Sequence, residues 1–147
     1  LALSGIKNTD EVCIICLTML KLNRCHHLAI ICSDYEKSKH FYVSILGLVV
    51  LREEYRADRE SMKLDLALNG SYLIELFSFP NSPPRPSRPE AIGLRHLAFE
   101  VDDLQQELDF LTQKGIFFEQ IRIDEATSKR FTFIFDPDNL PIELYEK

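Results

Sequence analysis

A four-residue word occurs twice in this chain: His27-Leu28-Ala29-Ile30 returns as His96-Leu97-Ala98-Phe99, 69 residues later. A second word, Ile74-Glu75-Leu76-Phe77, returns as Ile142-Glu143-Leu144-Tyr145 at an offset of 68. Asp34 with Asp102, and Gly47 with Gly115, keep the offset of 68. A chance tetrapeptide does not hold such a register, so the chain is read as one module written twice. Each copy predicts a strand, over about 24–31 and about 94–101, and then a helix opened by a polar cap. Ser33-x-x-Glu36 and Asp102-x-x-Gln105 supply the caps, and Gly47 and Gly115 fit the left-handed residue that ends a helix. Three β segments follow, the last two joined by Asn69-Gly70 in one copy and Asp136-Pro137-Asp138-Asn139 in the other. The expected fold is α+β: two βαβββ modules forming an open, cup-shaped mixed sheet. The modules span 22–79 and 93–147, joined by a proline-rich linker at 80–92, within a domain covering 21–147. Residues 1–20 read as an N-terminal extension outside the repeat.

Strand alternation sends every second side chain to the same face. Leu28 and Ile30, and Leu97, Phe99 and Val101, are then expected under the helices, which turns His27 and His96 the other way. In the closing strands Ile74 and Leu76, and Ile142 and Leu144, face the core, so Glu75 and Glu143 join the histidines on the far face. The repeat also separates two adjacent histidines: His26 corresponds to Arg95, a residue expected to reach solvent or ligand, so His27 is the inward one. His26 and His40 read as surface residues. Carboxylates in strands as apolar as "YLIELFSF" and "LPIELYE" are costly to desolvate without a cation or donors. Two imidazoles and two carboxylates related by the repeat give a compact donor set suited to a divalent ion such as nickel, zinc, iron or manganese.

Composition narrows the partners. A net charge of −6 and a pI near 5.2 lack the basic footprint that nucleic acid or an anionic membrane requires. The apolar run "VCIICLTML" is about half the length of a membrane span and carries no signal-peptide pattern. Cys13, Cys16, Cys25 and Cys32 crowd the first quarter with nothing to pair across the fold, which reads as reduced thiols in a cytoplasmic protein. Cys13-x-x-Cys16 has no second CxxC and does not predict a zinc knuckle. Positive charge gathers at Arg85 and Arg88 in the linker, Arg95 beside His96, and Lys129-Arg130. That set suits a small anionic substrate bearing a carboxylate or phosphonate.

With the repeat, the His and Glu pairs, "FYVSILGL" at the first helix end and "DPDNLPIELYE" at the close, residues 22–146 resemble the vicinal oxygen chelate superfamily. Within it the chain is most similar to the glyoxalase I (lactoylglutathione lyase) branch and its bacterial glyoxalase-like members. The resemblance implies one divalent ion, nickel or zinc before iron or manganese, held by His27, Glu75, His96 and Glu143. It implies a lyase or isomerase in which Glu143, with Glu75 as the symmetric alternative, moves a proton on a carbon between two metal-chelating oxygens. Arg130, Lys129 and Arg95 are the expected substrate-binding residues. Typical glyoxalase I has arginine four residues after its first ligand histidine to hold glutathione. Here that residue is Ile31, so glutathione is not implied. The superfamily also hosts thiol transferases acting on epoxide antibiotics, extradiol dioxygenases and an epimerase branch. The first two use three protein ligands, and the epimerases have Gln where this chain has Glu75. Metal-free binders of the bleomycin-resistance kind use the same cup but lack the ligand quartet. An open cup with exposed edges is completed by a second module, so the expected assembly is a homodimer, with modules paired within a chain or exchanged between chains.

Overall fold

The structure is a computed structural model that describes residues 19–147. The expected extension, apart from its last two residues, and the Cys13-x-x-Cys16 pair lie outside the described residues. The first module runs β1 (Leu28–Cys32), α1 (Tyr35–His40) continued by a π-helical turn (Phe41–Ile45), β2 (Val49–Arg56), a 3-10 turn (Ala57–Arg59), β3 (Ser61–Leu68) and β4 (Ser71–Ser78). The second runs β5 (Leu97–Val101), α2 (Leu104–Gln113), β6 (Arg122–Ile123), β7 (Arg130–Phe135) and β8 (Pro141–Glu146). Both are βαβββ. Each forms a four-stranded mixed sheet, β1-β4-β3-β2 and β5-β8-β7-β6, in which the first strand lies parallel to the last. A helix must carry the chain back across the sheet for such a pairing, and α1 and α2 are these crossovers.

The leading strands start later than the sequence pattern predicts, at Leu28 and Leu97 rather than near 24 and 94. Their partners explain the difference. The register shift between Leu66 and Ala67 leaves Leu73 unpaired near the start of β4, and the β1 pairing begins just beyond it, at Leu28 with Ile74. On β8 the position before Ile142 is Pro141, which has no N–H to offer a neighbour. The caps also move by one residue. Asp34 accepts from the Lys37 N–H at 3.1 Å and Asp103 from the Gln106 N–H at 3.2 Å. The expected cap Ser33 instead donates its own N–H to Asp138 of the second module, at 3.0 Å. Gly47 and Gly115 take the predicted positive φ, 73° and 68°, and Asn69-Gly70, at 49° and 76°, makes the tight turn between β3 and β4.

Leu64, Leu66, Ile74 and Leu76 are fully buried on the helix side of the first sheet, and Ile134 and Ile142 on that of the second. Each such side chain contributes about 1.5–3 kcal/mol by leaving water. Leu104, Leu108 and Leu111 bring one stripe of α2 to the same mass, and Phe41 and Tyr42 do so from the π-helical turn. All belong to one continuous core shared by both modules. The His-bearing face of each sheet is therefore its outer face. The modules are also tied by a polar contact: buried Tyr42 donates to Asp136 Oδ2 at 2.9 Å, while Asp136 Oδ1 accepts from the N–H groups of Asp138 (2.9 Å) and Leu140 (2.7 Å). Burial raises the Asp136 carboxyl above its ordinary range, and these donors oppose the rise. Among the described residues no helix is long and apolar enough to cross a membrane.

Because Tyr42→Phe leaves a buried carboxylate one donor short, it is expected to cost about 1–3 kcal/mol. Urea denaturation at neutral pH measures this, and an unchanged midpoint would mean that the contact between the modules contributes nothing.

Candidate functional site

Parallel pairing fixes the position of each carboxylate relative to its histidine. Glu75 pairs with Ala29 and Glu143 with Ala98, so each glutamate lies one pleat along from the histidine preceding the strand, on the same face. His27 Nε2 stands 3.2 Å from Glu75 Oε2, and His96 Nε2 stands 2.9 Å from Glu143 Oε2. All four side chains are largely withdrawn from water while remaining open on one side. Within one chain the predicted quartet thus divides two and two: among the described residues no three His, Cys, Asp or Glu side chains converge to hold a metal ion.

The two pairs have different surroundings. Glu75 Oε1 accepts from Lys63 at 2.7 Å; Lys63 also lies 3.4 Å from Asp65, which accepts from the Tyr72 hydroxyl at 3.0 Å. Burial pushes the Glu75 carboxyl up, but Lys63 and His27 outweigh it and hold the group below its ordinary value. The Tyr72 ring stacks on His27 with centroids 5.2 Å apart, and His26, exposed as expected, shares a 2.8 Å Nδ1 to Nδ1 hydrogen bond with His27. Glu143 instead pairs across the sheet with Phe133, whose ring meets His96 edge-on at 5.3 Å, and Phe131 stacks on Tyr145. His96 Nδ1 is buried without a hydrogen-bond partner. Lys63, Asp65, Tyr72 and Phe133 are site residues that the sequence reading missed. For Lys63, Asp65 and Phe133 the signal was present in "MKLDLAL" and "RFTFIF", where alternation sets these side chains against buried Leu64, Leu66 and Ile134, whereas Tyr72 reaches its place through the register shift at Leu73.

The donors fit a divalent ion. Imidazole nitrogen and carboxylate oxygen are donors that such ions take, and in each pair they stand close enough, 3.2 Å and 2.9 Å apart, to reach one ion together. The predicted substrate residues are more scattered. Arg95 is exposed, lies 3.8 Å from Glu90 and lines the same cleft as His96. Lys129 reaches the Lys147 carbonyl. Arg130 shares the helix-side face with buried Thr132 and Ile134, opposite the Glu143 face, and its guanidinium is engaged by Glu146. Glu146 also accepts from the Leu104 N–H at the start of α2, so this pair anchors a helix beneath the sheet.

A family model, that of the Glyoxalase/Bleomycin resistance protein/Dioxygenase superfamily, matches residues 24–144. The chain is 64% identical over 126 residues to the protein YwkD of Bacillus subtilis, covering 86% of this chain and 98% of that one. The crystal structure of a glyoxalase family protein from Enterococcus faecalis superposes with a TM-score of 0.77 at 49% identity, covering 84% of this chain and 97% of that one. More distantly, the lactoylglutathione lyase of Schizosaccharomyces pombe is 26% identical over 152 residues, covering 87% of this chain and 48% of the lyase.

Arg130 lowers the Glu146 carboxyl to about 2, with burial opposing and the Leu104 N–H assisting. A depressed carboxyl contributes stability that is complete above its unfolded value, near 4.5, and is lost as pH falls toward 2. Urea midpoints between pH 5 and pH 2 should therefore fall more steeply for the native chain than for Glu146→Gln. Parallel curves would show that the ion pair adds no stability.

Proposed function

The chain belongs to the Glyoxalase/Bleomycin resistance protein/Dioxygenase superfamily, and from that premise we propose that it is a metal-dependent lyase or isomerase of the lactoylglutathione lyase type. Its substrate is a small compound with two neighbouring oxygens, and its reaction moves a proton on the carbon between them. The observation that carries this reading is the pair of His–Glu contacts, 3.2 Å and 2.9 Å, at equivalent positions of a duplicated module. His27, Glu75, His96 and Glu143 would hold the ion, nickel or zinc before iron or manganese. When bound, such an ion polarises the two oxygens and acidifies the carbon between them.

Glu143 is the base. Glu75 is fixed by Lys63 on one oxygen and faces His27 with the other, which ties up its charge. Glu143 has His96 as its only ion-pair partner among the described residues and lies against Phe133, so it can accept a proton and return it to the neighbouring carbon. The rings of Phe131, Phe133 and Tyr145 pack together and give that side an apolar wall.

Each complete site is assembled from two copies of the chain, His27 and Glu75 of one meeting His96 and Glu143 of the other. Both pairs stand on outer faces, away from the shared core, and among the described residues of one chain neither pair gathers a third His, Cys, Asp or Glu. Exposed Ile31 and Leu51 on the first module, with Phe117 and Ile123 on the second, supply apolar surface for such a contact.

Two measurements test this. His27→Ala and His96→Ala should each lose bound metal by elemental analysis. When the two are mixed and allowed to exchange subunits, about a quarter of the native sites should return, since half the dimers are mixed and each mixed dimer holds one intact site. No recovery would place all four ligands in one chain. Glu143→Gln should retain metal but lose solvent-deuterium exchange at the carbon of a 2-hydroxycarbonyl compound or hemithioacetal, by about a hundredfold or more. Undiminished exchange would remove Glu143 as the base, and native protein that binds these compounds without exchanging them would make it a binding protein.

A further inference from the structure

A cleft of about 670 Å³ opens between the linker and the outer face of the second sheet, lined by Arg85, Arg88, Arg95, Arg122, His96 and Phe133 among others. The size suits a small molecule. Its charge is unlike that of the protein: four guanidinium groups face the carboxylates of Glu90 and Glu119 in a chain whose net charge is −6.

The arginines are held in place but incompletely neutralised. Arg85 donates to the main-chain carbonyls of Leu94 and Arg95 and, through Nε, to Ser87 at 3.0 Å; among the described residues no carboxylate lies within ion-pair distance of it. Ser87 in turn donates to the Asn139 carbonyl at 2.8 Å, which fastens the linker to the β7–β8 turn. Arg88 and Arg122 share one carboxylate, Glu119. Arg122 also lies over the Phe133 ring, 4.9 Å from its centroid, which orients its planar donor edge. Two positive charges are therefore left without a counter-charge beside His96, with Arg85 positioned by main-chain contacts, Arg122 by the Phe133 ring, and Arg88 exposed and held by Glu119 alone.

We propose that this cleft is an oxyanion subsite and that the substrate carries a dianionic group, best matched by a phosphate ester, held by Arg85, Arg88 and Arg122 while its two neighbouring oxygens reach the His96–Glu143 pair. The proposal rests on the proton-transfer reading for the location of the reacting carbon, but not for anion binding. Planar guanidinium groups suit the oxygens of a phosphate or carboxylate, and the two uncompensated charges select a dianion over a neutral polyol.

Isothermal titration of the full chain, with and without added nickel or zinc, tests this with four probes: dihydroxyacetone phosphate, dihydroxyacetone, inorganic phosphate and succinate. Dihydroxyacetone phosphate should bind at least about tenfold more tightly than dihydroxyacetone, and should weaken as ionic strength rises. Arg122→Gln and the surface variant Arg88→Gln should each weaken phosphate binding by about tenfold and leave dihydroxyacetone unaffected. Glu119→Gln should tighten it, because both shared guanidinium groups are released. Succinate binding more tightly than phosphate would overturn the choice of a phosphate ester. Equal binding of the neutral and phosphorylated probes, or indifference to both arginine variants, would overturn the subsite. Phosphate binding by native protein that takes up neither nickel nor zinc would leave the subsite intact and remove the metal-dependent reaction, so the two readings fail separately.

Discussion

The parallel pairing of the first and last strands of each module is the constraint on which the rest depends. It requires a helical crossover, which covers one face of the sheet and makes that face the core. It leaves the other face open, and the register Ala29 with Glu75 and Ala98 with Glu143 then puts a carboxylate within reach of the histidine that precedes each strand. A shift of one residue would bury both glutamates under the helices and expose Ile74, Leu76, Ile142 and Leu144, at a cost of several kcal/mol in lost apolar burial alone. Core packing and site geometry therefore enforce the same register.

The way the two modules share their core decides where the sites can form. With the helix sides of both sheets contributing to one cluster, and Tyr42 and Ser33 bonded to Asp136 and Asp138 of the other module, the His–Glu pairs are carried outward. An outer face that presents a His–Glu pair beside exposed apolar side chains is suited to a second copy of itself. Oligomerisation and chemistry are thereby coupled in the proposed enzyme: what buries the apolar faces also completes the donor set.

The two modules are alike in fold and differ in the residues that surround their glutamates. Lys63 and Asp65 on β3 occupy places taken on β7 by Phe131 and Phe133. One glutamate consequently sits in a charged network and the other beside aromatic rings. A carboxylate fixed by an ammonium group is suited to remain a ligand, and one with few partners is suited to exchange a proton. The equivalence that the sequence repeat implies for Glu75 and Glu143 does not survive in their environments.

Periodic and local properties were legible in the chain itself. The duplication, the alternation that separates His27 and Glu75 from Leu28 and Ile74, the glycines that end the helices and the turn at Asn69-Gly70 all follow from residue type and spacing, because each reports a conformation set by near neighbours. The boundaries were less exact, since the starts of β1 and β5 depend on a bulge and a proline in strands far along the chain. Tertiary structure alone decided which side chains meet. It gave Arg130 to Glu146 beneath the sheet, joined Lys63 to Glu75, divided the four candidate ligands into two pairs, and brought Arg122 to the linker arginines beside His96. Alternation tells which face a side chain takes, but it is silent on which faces and edges come together, and that is a property of long-range packing.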